Sequence, residues 1–120
     1  MDHRTFVEQV LARVDALDAR GFAACFTERA SLQFGNNPVV TGRAEIEAFI
    51  GELFAAIGGI RHEFKNCWSL DDRAFSNGHV VYVRKDGSEL RVPWATILRF
   101  EDGKIAEYLA YADASRLFNP

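Results

Sequence analysis

The first half of the chain repeats its hydrophobic residues with the spacing of α-helices. One face of a first predicted helix carries Phe6, Val10, Val14 and Leu17. Thr5, followed by Glu8 three residues later, fits a capping box at its start, and Gly21 suits its end. A short second helix is expected around Phe22 and Phe26.

A third and stronger helix is predicted after Thr41, which would cap it. Its apolar face is an i, i+3, i+4, i+7 series made of Ile46, Phe49, Ile50, Leu53, Phe54 and Ile57. The pair Gly58-Gly59 is expected to end this helix. Residues 30–34 read as a short strand before it, and residues 35–38 as a turn.

From Ile60 onward the period changes from 3.6 to 2, which predicts strands. Four strands are expected, over residues 60–70, 75–85, 89–100 and 105–112. Short Asp- and Gly-rich turns separate them, including Asp86-Gly87, a strong hairpin sequence. In the third strand, one face would carry Leu90, Val92, Trp94, Thr96, Leu98 and Phe100.

Helices that precede a meander of long strands predict an α+β fold with an antiparallel sheet. Because strands of about ten residues twist and curl strongly, the sheet should form a cone wrapped by the N-terminal helices around an apolar pocket. At 120 residues the chain should form one domain, and its ten phenylalanines imply a broad apolar interior. The outer sheet face is expected to carry Tyr82, Ile97, Leu109 and Tyr111, which predicts a homodimer through this face.

Charge and composition exclude several classes of protein. The net charge is −3 and there is no run of Lys or Arg, so a nucleic-acid partner is not expected. No apolar run approaches the length of a membrane span, and the polar start MDHRTFVEQ lacks the apolar region of a signal peptide. A cytoplasmic protein is therefore predicted. Cys25 and Cys67 match no zinc or redox spacing and are interpreted as reduced thiols.

His62 is the first candidate for chemistry, because it shares a strand face with Ile60, Phe64 and Trp68 and should point inward. A buried imidazole that titrates near neutral pH can act as a general base. The alternative is a core histidine whose ring is bonded to a backbone group. His3, near the chain start, is expected to be idle.

Acidic partners for His62 are expected at the end of the first helix. Asp18 follows the last apolar position, and Asp15 is the alternative acid three residues earlier. A carboxylate at a helix C-terminus is opposed by the helix dipole, so it either faces water or has a specific partner. Asp113, at the end of the last strand, is either an acid at the pocket rim or a turn residue.

Further side chains are candidates for binding an oxygen of a substrate. His79 and Asn77 share a strand face with apolar residues, and Trp94 and Tyr108 would offer an indole N–H and a phenol to the same cavity. Alternatively, the aromatic residues are simply core. No metal site with a recognised ligand spacing is present, and no nucleotide-binding or nucleophile-elbow motif occurs, so no cofactor is expected.

Four segments together resemble the nuclear transport factor 2-like superfamily, and within it the SnoaL-like group of polyketide cyclases. They are ALDARGF from Ala16, TGRAEIEAFIGELF from Thr41, GIRHEF from Gly59 and FEDGKIAEYLAYAD from Phe100, and they span nearly the whole chain. The resemblance implies one SnoaL-like domain over residues 1–120. It also implies a conical, barrel-like fold with a deep pocket, usually in a homodimer.

The resemblance excludes two enzymes of the superfamily. The Arg and first Asp of limonene epoxide hydrolases fall on Asn77 and His79, and their second Asp falls on Ala110, so that catalytic triad is absent. Only Tyr108 keeps an aromatic residue, where those enzymes have Trp. The early-strand acid of ketosteroid isomerases falls within residues 33–35, which contain no carboxylate.

Scytalone dehydratase is the nearest chemical match. Its Tyr-Asp pair falls on Leu17 and Asp18, and one of its histidines falls on His62, so the resemblance implies that Asp18 orients His62. The late aspartate of SnoaL-like cyclases has a possible match in Asp113. The expected function is a cofactor-independent isomerase, dehydratase or cyclase acting on an oxygenated apolar molecule. The alternatives are a non-catalytic binding or dimerisation module, or an accessory subunit of an oxygenase.

Overall fold

The computed structural model describes residues 2–118, which form three helices on one side of a six-stranded sheet. The helices are α1 (Arg4–Asp15), α2 (Ala19–Ala23) and α3 (Arg43–Ala56). The strands are β1 (Phe26–Phe34), β2 (Val40–Thr41), β3 (Gly59–Leu70), β4 (Arg73–Val83), β5 (Glu89–Glu101) and β6 (Lys104–Ala112). The first and third helices and the four long strands are confirmed, with shifts of a few residues at their ends. The second helix ends before its predicted residues Cys25 and Phe26, because Phe26 begins β1, which extends the strand predicted over residues 30–34.

The sheet has the strand order β2-β1-β6-β5-β4-β3. From β6 to β3 it is the expected antiparallel meander, and β1 joins β6 in parallel. The α+β class with a curved sheet is confirmed. The sheet does not close into a barrel, because β2 and β3 lie at its two ends.

The core lies between the helices and the inner face of the sheet. Helix α1 contributes Val7, Val10, Leu11 and Val14, and α3 contributes Ile46, Ile50 and Phe54. The strands β4, β5 and β6 contribute Val80, Tyr82, Trp94, Leu98, Tyr108 and Ala110. Tyr82 is therefore an inner-face residue, and its predicted place on the outer face is wrong: it pairs with Ile60 and Leu90, which also face the helices.

The ends of the helices differ from the prediction. The Thr5–Glu8 capping box does not form, since His3 is the N-cap of α1 and Glu8 binds the Arg4 guanidinium. At the other end, Leu17 takes a left-handed conformation with φ 55°, and its N–H donates to the Val14 carbonyl. This Schellman-type turn ends the helix before Gly21, which lies within α2.

The third helix also starts differently, because its N-cap is Gly42 with φ 98° rather than Thr41. Thr41 belongs to β2 and pairs with Ser31. At the chain start, the His3 ring makes two specific contacts. It stacks on Phe100 with centroids 4.5 Å apart, and its Nε2 lies 2.7 Å from the Asp71 carbonyl oxygen.

A β-bulge in β3 changes which residues face the core. The register with β4 shifts between Phe64 and Asn66, so the alternation predicted for this strand holds only up to Phe64. Beyond it, Cys67 takes the partly buried position that alternation had given to Trp68. Trp68 is 55% exposed, and its predicted inward orientation is wrong.

Candidate active site

His62 and Asp15 form a close pair between α1 and β3. The His62 Nδ1 and the Asp15 Oδ1 are 2.6 Å apart, and the backbone N–H of His62 donates to Asp15 Oδ2 at 3.1 Å. The imidazole side chain is only 6% exposed, whereas the carboxylate is 32% exposed. His62 thus points inward, as the sequence indicates, with an acid held against its ring.

The expected partner Asp18 does not contact His62. Asp18 is the N-cap of α2, where its side chain accepts a hydrogen bond from the Gly21 N–H at 2.8 Å. It also lies 3.5 Å from the Arg13 guanidinium. The turn at Leu17 separates the two acids: Asp15 stays on the last turn of α1, and Asp18 begins the next helix. Asp15, kept open as the alternative at the sequence level, is the carboxylate at His62.

Aromatic rings surround the imidazole on the inner face of the sheet. The rings of His62 and Trp94 meet edge to face with centroids 4.8 Å apart, and Phe64 lies 6.3 Å from Trp94. Trp94 is buried on the predicted face of β5. The carboxylate at Nδ1 favours a proton on that nitrogen, which leaves the lone pair of a neutral ring on Nε2.

Tyr108 is also buried on this face, packed edge to face against Phe22 with centroids 5.5 Å apart. Burial raises the pKa of its phenol well above the usual range, and the nearby Tyr82 and Asp15 raise it further. The Tyr108 phenol keeps its proton at neutral pH and can only donate that proton or accept a hydrogen bond.

His79 and Asn77 do not join this group, so their expected inward orientation is wrong. On β4 the inner positions are Ser76, Val80 and Tyr82, which are buried, and the two polar residues alternate with them on the outer face. Buried Ser76 is bonded to Thr96 on β5. Among residues 2–118, the Asn77 Oδ1 is the buried side-chain oxygen that lacks a hydrogen-bond partner.

A cavity of ≈ 930 Å³ lies between the second half of α3 and the ends of β1 and β6. Its walls come from the end of β1, the second half of α3, Tyr82 of β4, and the end of β6 with the segment that follows it. Among the lining residues are Phe34, Phe49, Glu52, Leu53, Tyr111, Asp113, Leu117 and Phe118. Glu52 was not a candidate from the sequence, and Phe49 and Leu53 were expected in the core, because helical periodicity does not separate a packed face from a cavity wall.

Asp113 lies at the cavity, where the sequence had left a rim acid or a turn residue open. It is both: it lines the cavity, and its Oδ1 accepts from the Ser115 N–H at 3.0 Å. The Ser115 side chain and backbone hold the pKa of Asp113 below its usual value. Asp113 is thus a carboxylate at neutral pH and a weak proton acceptor.

The segment after β6 closes one side of this cavity. Leu117 is buried, and its carbonyl accepts from the Arg84 Nε at 2.8 Å. The same guanidinium donates to the Arg116 carbonyl through Nη2, also at 2.8 Å.

None of the helices within residues 2–118 is long and apolar enough to cross a membrane.

Comparison with known protein families shows to which family the chain belongs. A family model described as a SnoaL-like domain matches residues 7–108. This chain belongs to the SnoaL-like family. The match covers most of the chain, and it confirms the resemblance seen in the sequence. No curated protein matches this SnoaL-like sequence.

Solved structures share the nuclear transport factor 2-like fold of this SnoaL-like chain. A protein of unknown function from Burkholderia pseudomallei K96243 has a TM-score of 0.85 at 16% identity, over 98% of this chain and 96% of its own. A candidate SnoaL-like polyketide cyclase from Jannaschia sp. CCS1 has a TM-score of 0.75 at 21% identity, over 93% and 88%.

A third structure is a hypothetical protein with a ketosteroid isomerase-like fold from Catenulispora acidiphila DSM 44928, in complex with trimethylamine. It has a TM-score of 0.81 at 18% identity, over 88% of this chain and 82% of its own. At these identities the three structures show the fold alone.

Proposed function

We propose that this SnoaL-like protein is a cofactor-independent enzyme that isomerises, dehydrates or cyclises a small, largely apolar molecule by general acid–base catalysis. The observation that carries the proposal is the pairing of the buried His62 ring with Asp15. The substrate would occupy the cavity beside α3 and reach His62 along the inner sheet face.

In this proposal, His62 moves the proton. Asp15 holds Nδ1 and stabilises the imidazolium that forms when Nε2 takes a proton from the substrate. Trp94 fixes the ring from the side, since the two rings are in edge-to-face contact. The neutral phenol of Tyr108 supplies a donor to a developing oxyanion, because burial keeps it protonated.

The cavity and His62 share the inner face of the sheet, which supports the proposed access. Tyr82 lines the cavity and pairs with Ile60, while His62 pairs with Val80 one step further along β3. His62 and Tyr82 are thus diagonal neighbours, about 7–8 Å apart at their Cα atoms. A molecule that passes the Tyr82 ring needs to extend by only two residues along β3, from Ile60 to His62, to meet the imidazole.

The test uses a panel of oxygenated aromatic and polyketide-like compounds, with conversion followed by NMR. His62→Gln should lower the rate on any converted compound by about 10²–10⁴-fold, the usual contribution of one positioned acid–base group. Asp15→Asn should lower it less, since the base remains but loses its orienting charge.

The matched control is His79→Gln, which removes an imidazole from the outer face of the same sheet and should leave the rate unchanged. Circular dichroism reports whether each variant is folded. A folded His62→Gln protein that converts the compound at the wild-type rate would refute His62 as the base.

A second candidate is a ligand-binding module without catalysis. It is favoured by the fact that neither His62 nor Asp15 is among the residues that line the cavity. Both hydrogen bonds between Asp15 and β3 also go to one residue, as a fastening of α1 would. In that case, His62→Gln lowers the free energy of unfolding and leaves ligand binding in the cavity intact.

We also propose that the protein forms a homodimer through the outer sheet face. Directly paired apolar residues run across four neighbouring strands there: Trp68, Phe75, Ile97 and Leu109. Tyr111, 52% exposed, extends this row. A partner surface would cover this row and remove it from water.

A further inference from the structure

The cavity beside α3 combines aromatic rings with negative charge. Besides Tyr111, whose side chain belongs to the outer sheet face, four of its lining residues are aromatic: Phe34, Phe49, Tyr82 and Phe118. Its charged lining residues are Glu52 of α3 and Asp113 at the end of β6. None of the described residues that line it is Lys, Arg or His.

Such a wall discriminates between head groups by charge. The negative face of an aromatic ring attracts a cation, most strongly where water is excluded. A carboxylate at the rim adds a charged hydrogen-bond acceptor for an N–H donor. An anionic head group would instead meet two acids and no basic residue, so it is opposed in this cavity.

We propose that the ligand of this cavity carries a positive charge, as a protonated amine or an ammonium group on an apolar body. This inference rests on the proposed function only in so far as the cavity binds a small molecule. The volume of ≈ 930 Å³ is sufficient for a ligand with an extended apolar body in addition to the charged group.

Three basic side chains flank the cavity without being among the residues that line it: Arg84, Lys85 and Arg116. The Arg84 guanidinium is engaged by the carbonyls of Arg116 and Leu117 and by the Ser88 hydroxyl. Lys85 and Arg116 are exposed, so water and salt screen their charges.

Three probes with one phenylpropyl body test the proposal: 3-phenylpropylamine, 3-phenylpropanol and 3-phenylpropanoate. They differ only in the head group, which is cationic, neutral or anionic at pH 7. NMR titrations of the full chain should rank them amine, alcohol, acid, with about a tenfold gap between amine and alcohol. The preference should shrink as salt is added, because the charges at the rim are screened.

The double variant Glu52→Gln/Asp113→Asn should bring the amine close to the alcohol, and the amide oxygen introduced at position 113 can still accept from Ser115. Glu47→Gln is the matched control, because Glu47 is exposed on the same helix and lies outside the lining. Equal binding of amine and alcohol to the wild type, or an amine preference that persists in the double variant, overturns the charge assignment and leaves the cavity proposal standing. No binding by any of the three probes contradicts both.

Discussion

Asp15 serves His62 in two ways at once. Strand β3 lies at the edge of the sheet, so a backbone N–H on its free side has no neighbouring strand to bind. Asp15 accepts from that N–H of His62 with one carboxylate oxygen and holds the imidazole with the other. The same contact therefore fastens α1 to the sheet and fixes the orientation of the ring.

Removal of the carboxylate should destabilise the fold. Asp15→Ala leaves a ring nitrogen and a backbone N–H of His62 without their acceptor, and the ring is only 6% exposed. We expect the free energy of unfolding to fall by about 1–3 kcal/mol. Urea unfolding measures this, with Glu8→Ala as the control, because Glu8 makes only an exposed ion pair on the same helix. An Asp15→Ala protein as stable as the Glu8→Ala protein would contradict the assigned role.

The inward direction of His62 was predicted correctly and its contact with Asp18 incorrectly, for separate physical reasons. His62 lies in the regular part of β3, where alternation with Ile60 and Phe64 predicts its direction. The choice between Asp15 and Asp18 depends on where α1 ends. That point is set by Leu17 in a left-handed conformation, which glycine usually adopts, so no residue type marked it.

At the scale of elements, the alternation pattern predicts a strand well but not the face it presents after an irregularity. The bulge in β3 faces Gly78, whose backbone passes so close to the Glu63 carbonyl that a side chain would collide with it. Gly78 also follows Asn77 on a strand where apolar residues occupy both faces. Hydrophobicity alone therefore could not assign His79 and Asn77 to the outer face.

At the scale of the whole molecule, the sequence predicted a cone with an apolar interior but not where that interior stays open. The cavity wall combines the end of β1, one flank of α3 and the segment after β6. These parts are far apart in the chain and are joined through contacts such as that of Arg84 with the Leu117 carbonyl. Such contacts have no periodic pattern, so only Asp113 of the cavity wall was a candidate beforehand.

The proposed dimer makes a prediction at this scale. Ile97→Arg places a charge in the middle of the apolar row on the outer face and should convert the dimer to a monomer. Sedimentation velocity measures the change. Val39→Arg is the control, because Val39 is 57% exposed in the loop before β2 and lies outside this row. A wild-type protein that sediments as a monomer would refute the dimer.

The proposed function requires that a molecule bound in the cavity reaches His62. Intermolecular nuclear Overhauser effects from bound 3-phenylpropylamine, or from any converted compound, measure this most directly. We expect contacts from the bound molecule to the Tyr82 ring, which lines the cavity, and to the His62 imidazole and the Trp94 indole, which lie deeper on the inner sheet face. Contacts confined to Phe49, Phe118 and their neighbours at the rim, with none to His62, would contradict it and favour a binding module.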